Sequence, residues 1–332
     1  MHDILWPVIL LVGLALVFDF INGFHDAANS VATVIATGTL KPKQAVVLAF
    51  IFNIVGLFIF HLAVAATIGK GIIDPSIVDF NLIAAGLIGA ISWNLITWAF
   101  GLPSSSSHAL IGGVVGAAIA KAGSFDPIVW AGMNKTLLFI VISPLAGMAL
   151  AAALAFILRR IFPNVKPGNK MYRYGQIISS SLYSIGHGAN DAQKTAGIIF
   201  LVLIAGGLLS AESDIPYWVA AISFLVIGLG TLAGGWRIIH TMANKITDLK
   251  PRGGFAAEMA GSIMLFTSSG LGIPVSTTHA ITGSIVGSGA VENAGKIQWG
   301  TLRNIVIAWV LTIPAAAIIG GLLYQAFRIV LA

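Results

Sequence analysis

Long apolar runs, separated by short polar segments, follow one another along almost the whole chain of 332 residues. A helix that crosses a membrane needs about 20 consecutive apolar residues, and several runs reach or exceed this length. Only 9% of the residues are charged, against roughly 25% in an average soluble domain, so the chain cannot cover itself with a wettable surface. The sequence therefore predicts an all-α polytopic membrane protein in contact with lipid. No nucleic-acid partner is predicted from the formal charge of +6.

Basic residues in short loops indicate the orientation of the chain, because cytoplasmic loops are enriched in lysine and arginine. Segment 159–173 contains five basic residues and no acidic one, so we predict that it is cytoplasmic. Segment 210–216 carries only acidic charges and is predicted to lie outside, as are both chain termini. Five crossings are predicted on each side of the basic segment, at residues 5–38, 44–68, 80–100, 103–121 and 127–158, and at 174–208, 216–236, 255–271, 273–290 and 297–329.

Two polar motifs occur twice in the same order, which indicates an internal repeat. Asp26 and Asp191 hold the same position in the motifs G-F-H-D-A and G-A-N-D-A, and segments 101–116 and 272–287 are identical at eight of sixteen positions. Because an odd number of crossings precedes the basic segment, we predict that the second half is inverted relative to the first. Inverted repeats are typical of secondary transporters, whose substrate site lies between the repeats near the membrane midplane. The predicted units are a first repeat at 1–158, a basic cytoplasmic linker at 159–173 and a second repeat at 174–332.

Breaks in the helices are expected near the centre of this architecture, as broken helices or helical hairpins. The runs 174–208 and 297–329 are longer than one straight crossing, so broken, tilted or re-entrant pieces are expected in them. In the segments 101–116 and 272–287, a glycine and a proline precede hydroxyl residues. Proline suits the first turn of a helix, and a helix N-terminus is a ready anion site. Two opposed helix starts therefore indicate anion binding, with close packing of small residues as the alternative.

Asp26 and Asp191 lie in stretches that are otherwise apolar. An ionised carboxylate in the membrane interior is costly unless it is paired, so each is a functional candidate. Together with neighbouring amides the two motifs offer oxygen ligands for a desolvated cation, and either carboxylate could carry a proton instead. The alternative is an aspartate that caps a broken helix. The amides are Asn22, Asn29, Asn190 and Gln193.

The remaining polar residues are expected to have structural roles. Four histidines lie in the motifs without the close spacing of a ligand pair, so hydrogen bonding or packing is predicted and no metal site. Asp19 is expected to cap or pair beside a broken region, and Glu258 to sit at the membrane interface. The histidines are His25, His108, His187 and His279.

The doubled G-x-x-D motif, combined with two Pro–Ser/Thr–His hairpins, resembles the inorganic phosphate transporter (PiT) family. The likeness covers nearly the whole chain, and the stretches INGFHDAANSVATVI and HGANDAQK are similar to bacterial low-affinity phosphate permeases. The resemblance implies a homodimer in the plasma (inner) membrane that imports inorganic phosphate by symport with Na⁺ or H⁺, without a cofactor. It also implies metal–phosphate as a substrate of some members and a soluble PhoU-like accessory protein.

Carried over residue by residue, the resemblance implies two groups of site residues. The cation and phosphate motifs are expected to use Asp26 and Asn29 in the first half and Asn190 and Asp191 in the second. The hairpin tips that face the substrate are expected to be Ser105, Ser106, Ser107, Ser276, Thr277 and Thr278.

The chain departs from the family pattern at positions that bear on the coupling ion. Sodium-coupled members tend to carry G-A-N-D-x-A-N in both halves, whereas here His25 replaces an asparagine and Gln193-Lys194 closes the second motif. Two expected amide ligands of sodium are missing, and Lys194 brings a fixed cation close to Asp191, where it can also balance phosphate. We therefore favour H⁺ coupling through carboxylates or His25, with Na⁺ coupling as the alternative.

Two functions other than phosphate transport are compatible with parts of the sequence. Helix termini and hydroxyl groups also bind sulfate, so a carrier of sulfate or another oxyanion is an alternative. The stretch PSSSSH superficially resembles a membrane phosphatase motif, but the lysine, arginine and histidine segments that such an enzyme needs do not accompany it. The sequence therefore predicts a secondary transporter and not an enzyme.

Overall fold

The computed structural model describes residues 2–330, and side chains at 5–69 and 71–330. Over these residues the chain is helical, with no β-strand, which confirms the predicted all-α class. Short 3₁₀ helices lie at Gly56–Phe58, Pro75–Ile77 and Ala294–Lys296. The α-helices are α1 (His2–Ala36), α2 (Pro42–Val55), α3 (Ala63–Gly71), α4 (Phe80–Ala99), α5 (Ser106–Ala122), α6 (Trp130–Ile161), α7 (Lys170–Ala205), α8 (Tyr217–Ala233), α9 (Trp236–Asn244), α10 (Pro251–Gly270), α11 (Thr277–Asn293) and α12 (Trp299–Val330).

The same series of helices occurs twice, so that α1–α6 correspond to α7–α12 in order. The long first helices have 35 and 36 residues, and the last helices of the two series have 32 residues each. The helices that follow the hairpin turns, α5 and α11, both have 17 residues. The predicted limits of the two units stay a prediction.

Each series of helices is packed against the last helix of the other series. Helix α5 packs on α12, and α11 packs on α6. An added Cβ would lie 2.0 Å from the Ala317 oxygen at Gly116, and 2.0 Å from the Met148 oxygen at Gly287. Glycine is therefore required at both crossings, and the reciprocal exchange of contacts is what an approximate twofold relation produces.

Within residues 2–330, four helices are long and apolar enough to cross a membrane, or six if two bent pairs each count as one span. The bent pairs turn by 84° between α2 and α3 and by 69° between α8 and α9. Helix α7 is continuous, but many of its side chains are polar and buried. Its composition alone therefore does not identify it as a membrane span. The ten crossings, the inverted orientation and the sidedness of the loops stay predictions. The four helices are Leu5–Ala36, Phe80–Ala99, Trp130–Ile161 and Trp299–Val330.

The turns before α5 and α11 interrupt the chain where hairpins are expected, but other expected breaks are absent. The unbroken helices α7 and α12 cover nearly all of runs 174–208 and 297–329, and Asp19 lies within the unbroken helix α1. The polar side chains of α7 bond to neighbouring helices, so its backbone ladder needs no interruption. The breaks follow Gly56 and fall at Gly234, whose φ of 70° ends α8.

Two equivalent turns place the helices α5 and α11. Gly101 and Gly272 have φ values of 65° and 66°, a left-handed conformation that glycine adopts without steric cost. The chain then reverses through a proline segment and begins a helix whose N-cap is a serine. These turns carry both hydroxyl-rich helix starts into the protein interior.

Candidate functional site

The N-terminal turns of α5 and α11 meet inside the protein. The rings of His108 and His279 are in edge-to-face contact with centroids 4.9 Å apart. Ser105 and Ser276 are the N-caps, and their hydroxyls accept hydrogen bonds from the backbone N–H groups of those two histidines at 3.3 and 3.2 Å. The opposed helix starts therefore bring two sets of free N–H groups, and two positive dipole ends, to one place.

Helices α1 and α7 bring two carboxylates against these helix starts. The Ser106 hydroxyl donates to Asp26 Oδ1 at 3.3 Å, and the Thr277 hydroxyl donates to Asp191 Oδ2 at 3.2 Å. Asp26 is 2% exposed and Asp191 is fully buried. The pairing is symmetric, since each carboxylate contacts the first residue of one hairpin helix.

Lys194 lies one turn after Asp191 and is 1% exposed. Its Nζ donates to Asp191 Oδ1 at 2.6 Å, to Ser107 Oγ at 2.5 Å and to the Val275 carbonyl oxygen at 2.7 Å. Carboxylate, hydroxyl and carbonyl oxygens are the kinds of ligand that a dehydrated alkali cation uses. The ammonium group therefore lies among oxygen atoms of the kinds that bind an alkali cation.

Two asparagines hold the second hairpin in place. Asn29 donates from Nδ2 to the hydroxyls of Thr277 and Thr278 at 3.1 and 3.0 Å, which leaves its Oδ1 without a partner. Asn190 donates to the Ser269 hydroxyl at 3.2 Å and accepts from the Val275 N–H at 3.4 Å. The two aspartate motifs, through Asn29 and Asn190, therefore both contact the N-terminal tip of α11.

The other residues expected in the cation motifs have different surroundings. His25 Nδ1 donates to Asp26 Oδ1 at 2.8 Å, and its Nε2 is 3.0 Å from the Thr97 hydroxyl. Asn22 is buried, and its Oδ1 has no partner. Gln193 lies two residues after Asp191, about 200° around the helix, and therefore points to another face. Its side-chain oxygen accepts a hydrogen bond from the Val64 N–H, and its side-chain nitrogen donates to the His61 carbonyl oxygen, both beside the start of α3.

A group able to hold a metal ion forms around the two carboxylates, although spacing in the sequence did not indicate one. One ligand atom each from Asp26, His187 and Asp191 lies within 4.8 Å of the others. His187 Nδ1 donates to Asn53 Oδ1 at 3.0 Å, so its Nε2 keeps a lone pair toward Asp191, 3.3 Å away. Metal-binding histidines typically donate from their other ring nitrogen to an oxygen that fixes the tautomer, as Asn53 Oδ1 does here, so these residues fit a divalent cation.

Glu258 lies in the protein interior and not at the membrane interface, where it was expected. It is fully buried and accepts hydrogen bonds from Thr33, from Gln176 Nε2 at 3.2 Å and from the Ser179 hydroxyl at 2.5 Å. A single acid in a stretch of small and apolar residues, G-G-F-A-A-E-M-A-G, is the signal that could have found it.

These features define a class of protein. Membrane-length helices enclose a buried cluster of two carboxylates, an ammonium group and two converging helix starts, at the contact between two repeated units. Such an arrangement is typical of a membrane transporter.

The chain belongs to the phosphate transporter family, whose model matches residues 22–168 and 163–320. It is 53% identical to a probable low-affinity inorganic phosphate transporter of Rhizobium meliloti over 97% of each chain. It is 44% identical to a protein of the same description from Bacillus subtilis over 98% of each chain. A solved structure, the sodium-dependent phosphate transporter, has the same fold with a TM-score of 0.86 and 24% identity, over 97% of this chain and 99% of that one. The resemblance predicted from the motifs is confirmed, and the protein is a transporter and not an enzyme.

Proposed function

We propose that this protein is a secondary transporter that imports inorganic phosphate together with protons. The observation that carries the choice of ion is the position of Lys194. Its ammonium group is bound to Asp191, Ser107 and the Val275 carbonyl, the oxygens that a sodium ion at this motif would need. A proton requires only a carboxylate or an imidazole and no cage of oxygen ligands.

Phosphate binds, in this proposal, between the tips of α5 and α11. The first turn of a helix has unpaired N–H groups and a positive dipole end, which suit a phosphate oxygen. The hydroxyls of Ser106, Ser107, Thr277 and Thr278 lie at the same two tips, with Lys194 as counter-charge. Ser105 and Ser276 are assigned to capping, because their hydroxyls accept from the backbone of their own helices.

Import of phosphate needs accompanying positive charge. With an interior 100 mV negative, moving a phosphate dianion inward costs about 4.6 kcal/mol before any concentration gradient. Two co-transported protons remove this electrical cost. At the centre, Asp191 balances the ammonium group of Lys194, and Asp26, which forms no ion pair with a lysine or arginine of the described residues, is available to a proton.

A second candidate substrate is a complex of phosphate with a divalent metal ion. The support is the cluster of Asp26, His187 and Asp191, whose ligand atoms lie within 4.8 Å of one another. The metal would be transported cargo in this case. It would neutralise the dianion directly and reduce the number of protons needed.

The proposal includes an architecture that the reciprocal packing supports. The two units, 1–158 and 174–332, are inverted repeats in the plasma (inner) membrane, with the linker 159–173 on the cytoplasmic side. From the loop charges, both termini are assigned to the outside, and from the family resemblance we propose a homodimer with a soluble PhoU-like partner.

The substrate is tested by counterflow of labelled phosphate in proteoliposomes that contain the purified protein. We expect unlabelled phosphate inside the vesicles to drive transient uptake, and external sulfate not to compete. Competition by sulfate at equal concentration would favour a general oxyanion carrier. Repeating the assay with and without Mg²⁺ separates free phosphate from metal–phosphate.

A further inference from the structure

Asp19 is a further carboxyl group in the interior of α1, besides Asp26, and it is fully buried. It precedes Asp26 by seven residues, which places it on the same face of the helix about 10 Å away along the axis. The central cluster described above does not include it.

The hydrogen bonds of Asp19 are incomplete. Its Oδ1 accepts from the Thr195 hydroxyl at 2.7 Å, whereas its Oδ2 has no partner. No lysine, arginine or histidine of the described residues forms an ion pair with it. One turn further along α1, Asn22 is 1% exposed and its Oδ1 also has no partner. Two buried acceptor oxygens on one helix face are therefore unpaired.

Protonation of the Asp19 carboxylate would allow its unpaired oxygen to form a hydrogen bond. An ionised carboxylate with a free oxygen is expensive in a buried apolar setting, where no water replaces the missing hydrogen bonds. A neutral carboxyl keeps the bond from Thr195 at one oxygen and gains an O–H donor at the other. The side chain that can accept that donor from the same helix face is Asn22.

The surroundings of Asp19 contain few charges. On α7, the Asp19 partner Thr195 lies one turn after Asp191. Asp191 itself is paired with Lys194 and lies close to His187. Helix α4 has no titratable residue, and α8 has only Tyr217 at its start. Helix α5 contributes His108 at the central site and Lys121, which is paired with Asp79 at the other end. Phe18 and Ile198 pack near it in the apolar core.

We propose that Asp19 is a proton-binding site beside the central cluster, on the side of the N-terminal half of α1. This inference deepens the proposed proton coupling and rests on it. A proton from water on the N-terminal side binds Oδ2 of the ionised carboxylate, and it is released to water on the opposite face after the repeats rearrange. Asn22 orients the protonated carboxyl, and Thr195 holds the ionised one.

The test compares proton and phosphate uptake in the same proteoliposomes, with a pH-sensitive dye inside and labelled phosphate outside. Asp19→Asn keeps the shape of the side chain and an acceptor for Thr195 but cannot bind a proton. We expect its ratio of protons to phosphate to fall by about one, because one carboxyl binds one proton. Phosphate exchange without a gradient is expected to continue at the rate of the unmodified protein. Asp19→Glu, which restores a carboxyl, and Asp126→Asn, which changes an exposed loop acid, should both keep the original ratio.

The outcomes separate this inference from the proposed function. An unchanged ratio in Asp19→Asn, while the unmodified protein takes up protons with phosphate, overturns the role of Asp19 alone. Loss of exchange in both Asp19→Asn and Asp19→Glu shows a structural role and also overturns it. If the unmodified protein takes up phosphate without protons, both proposals are wrong.

Discussion

At the scale of single residues, the ion pair between Lys194 and Asp191 decides the electrostatics of the site. Both groups are almost fully buried, and removal of one partner of a buried pair leaves an uncompensated charge. The ammonium group is also the one fixed positive charge that directly contacts a hairpin tip, through Ser107, among the described residues.

Lys194→Asn is expected to make phosphate binding depend on sodium. The substitution frees Asp191, Ser107 and the Val275 carbonyl, and the loss of hydrogen bonds from a charged group should weaken phosphate affinity about tenfold or more without sodium. Added Na⁺ should restore part of the affinity. Isothermal titration with phosphate in the presence and absence of NaCl measures this, with Lys121→Asn, outside the site, as control. Unchanged affinity without sodium in Lys194→Asn would show that the ammonium is not a counter-charge.

Asp26→Asn and Asp191→Asn are each expected to abolish accumulation of phosphate against a gradient. An amide keeps the shape of the side chain but cannot balance a cation or take up a proton. Exchange of phosphate at zero gradient should persist, because exchange moves no net charge. Vesicle uptake and exchange assays separate the two activities, and Asp214→Asn in an exposed loop should affect neither. Full accumulation by either central variant would reduce its carboxylate to a structural cap.

At the scale of elements, the two hairpins combine capping with substrate contact in adjacent residues. Ser105 and Ser276 stabilise the helix starts, whereas Ser106 and Thr277 point to the carboxylates. Neighbouring hydroxyls in one run therefore have different roles, and substitutions must distinguish them.

The double variant Ser106→Ala/Ser107→Ala is expected to weaken phosphate binding about tenfold or more, since each lost hydrogen bond to a charged group contributes about 1.5–3 kcal/mol. The helix start should remain intact because its cap is Ser105. Ser223→Ala is the matched control, since that buried hydroxyl bonds only to its own helix. If titration gives the same phosphate affinity for the double variant and the control, the tip of α5 does not contact the substrate.

The helix crossings are tested by Gly116→Ala and Gly287→Ala. Each added methyl group meets a backbone oxygen at 2.0 Å, so the crossing must open, at a cost of about 1–3 kcal/mol. Gly13→Ala is the control, because nothing lies within 4 Å of a Cβ at that helical position. Thermal unfolding in detergent should show a lower midpoint for the first two variants only. Equal midpoints in all three would mean that these crossings are not tightly packed.

At the scale of the whole molecule, the sequence predicted the helical class and the family, because both depend on patterns that are local. Apolar runs predict helices, and the repeated Asp26 and Asp191 motifs identify the contact between two units. It predicted the turns before α5 and α11 but not that α7 is unbroken, since α7 satisfies its polar groups with side chains of other helices. Nor did it predict the approach of His187 to Asp26 or the burial of Glu258. Both depend on which faces of distant helices meet, which spacing along one chain does not encode.

Lys194 occurs in only one of the two repeated motifs, so the molecule is asymmetric at its centre. In the position equivalent to Lys194 in the G-x-x-D alignment, the first unit has Asn29, an uncharged ligand. We therefore expect the second motif to keep Lys194 as a fixed cation and the first motif to exchange its positive charge with solution.

The coupling ion is identified by the ion gradient that drives accumulation of phosphate. Proteoliposomes are given either an inward pH gradient without sodium, or an inward sodium gradient at equal pH, and uptake of labelled phosphate is followed. Accumulation above equilibrium under the pH gradient, with only equilibration under the sodium gradient, is the predicted result. Accumulation driven by sodium alone would contradict the assignment of Lys194 to the position of a bound sodium ion, and with it the proposed proton coupling.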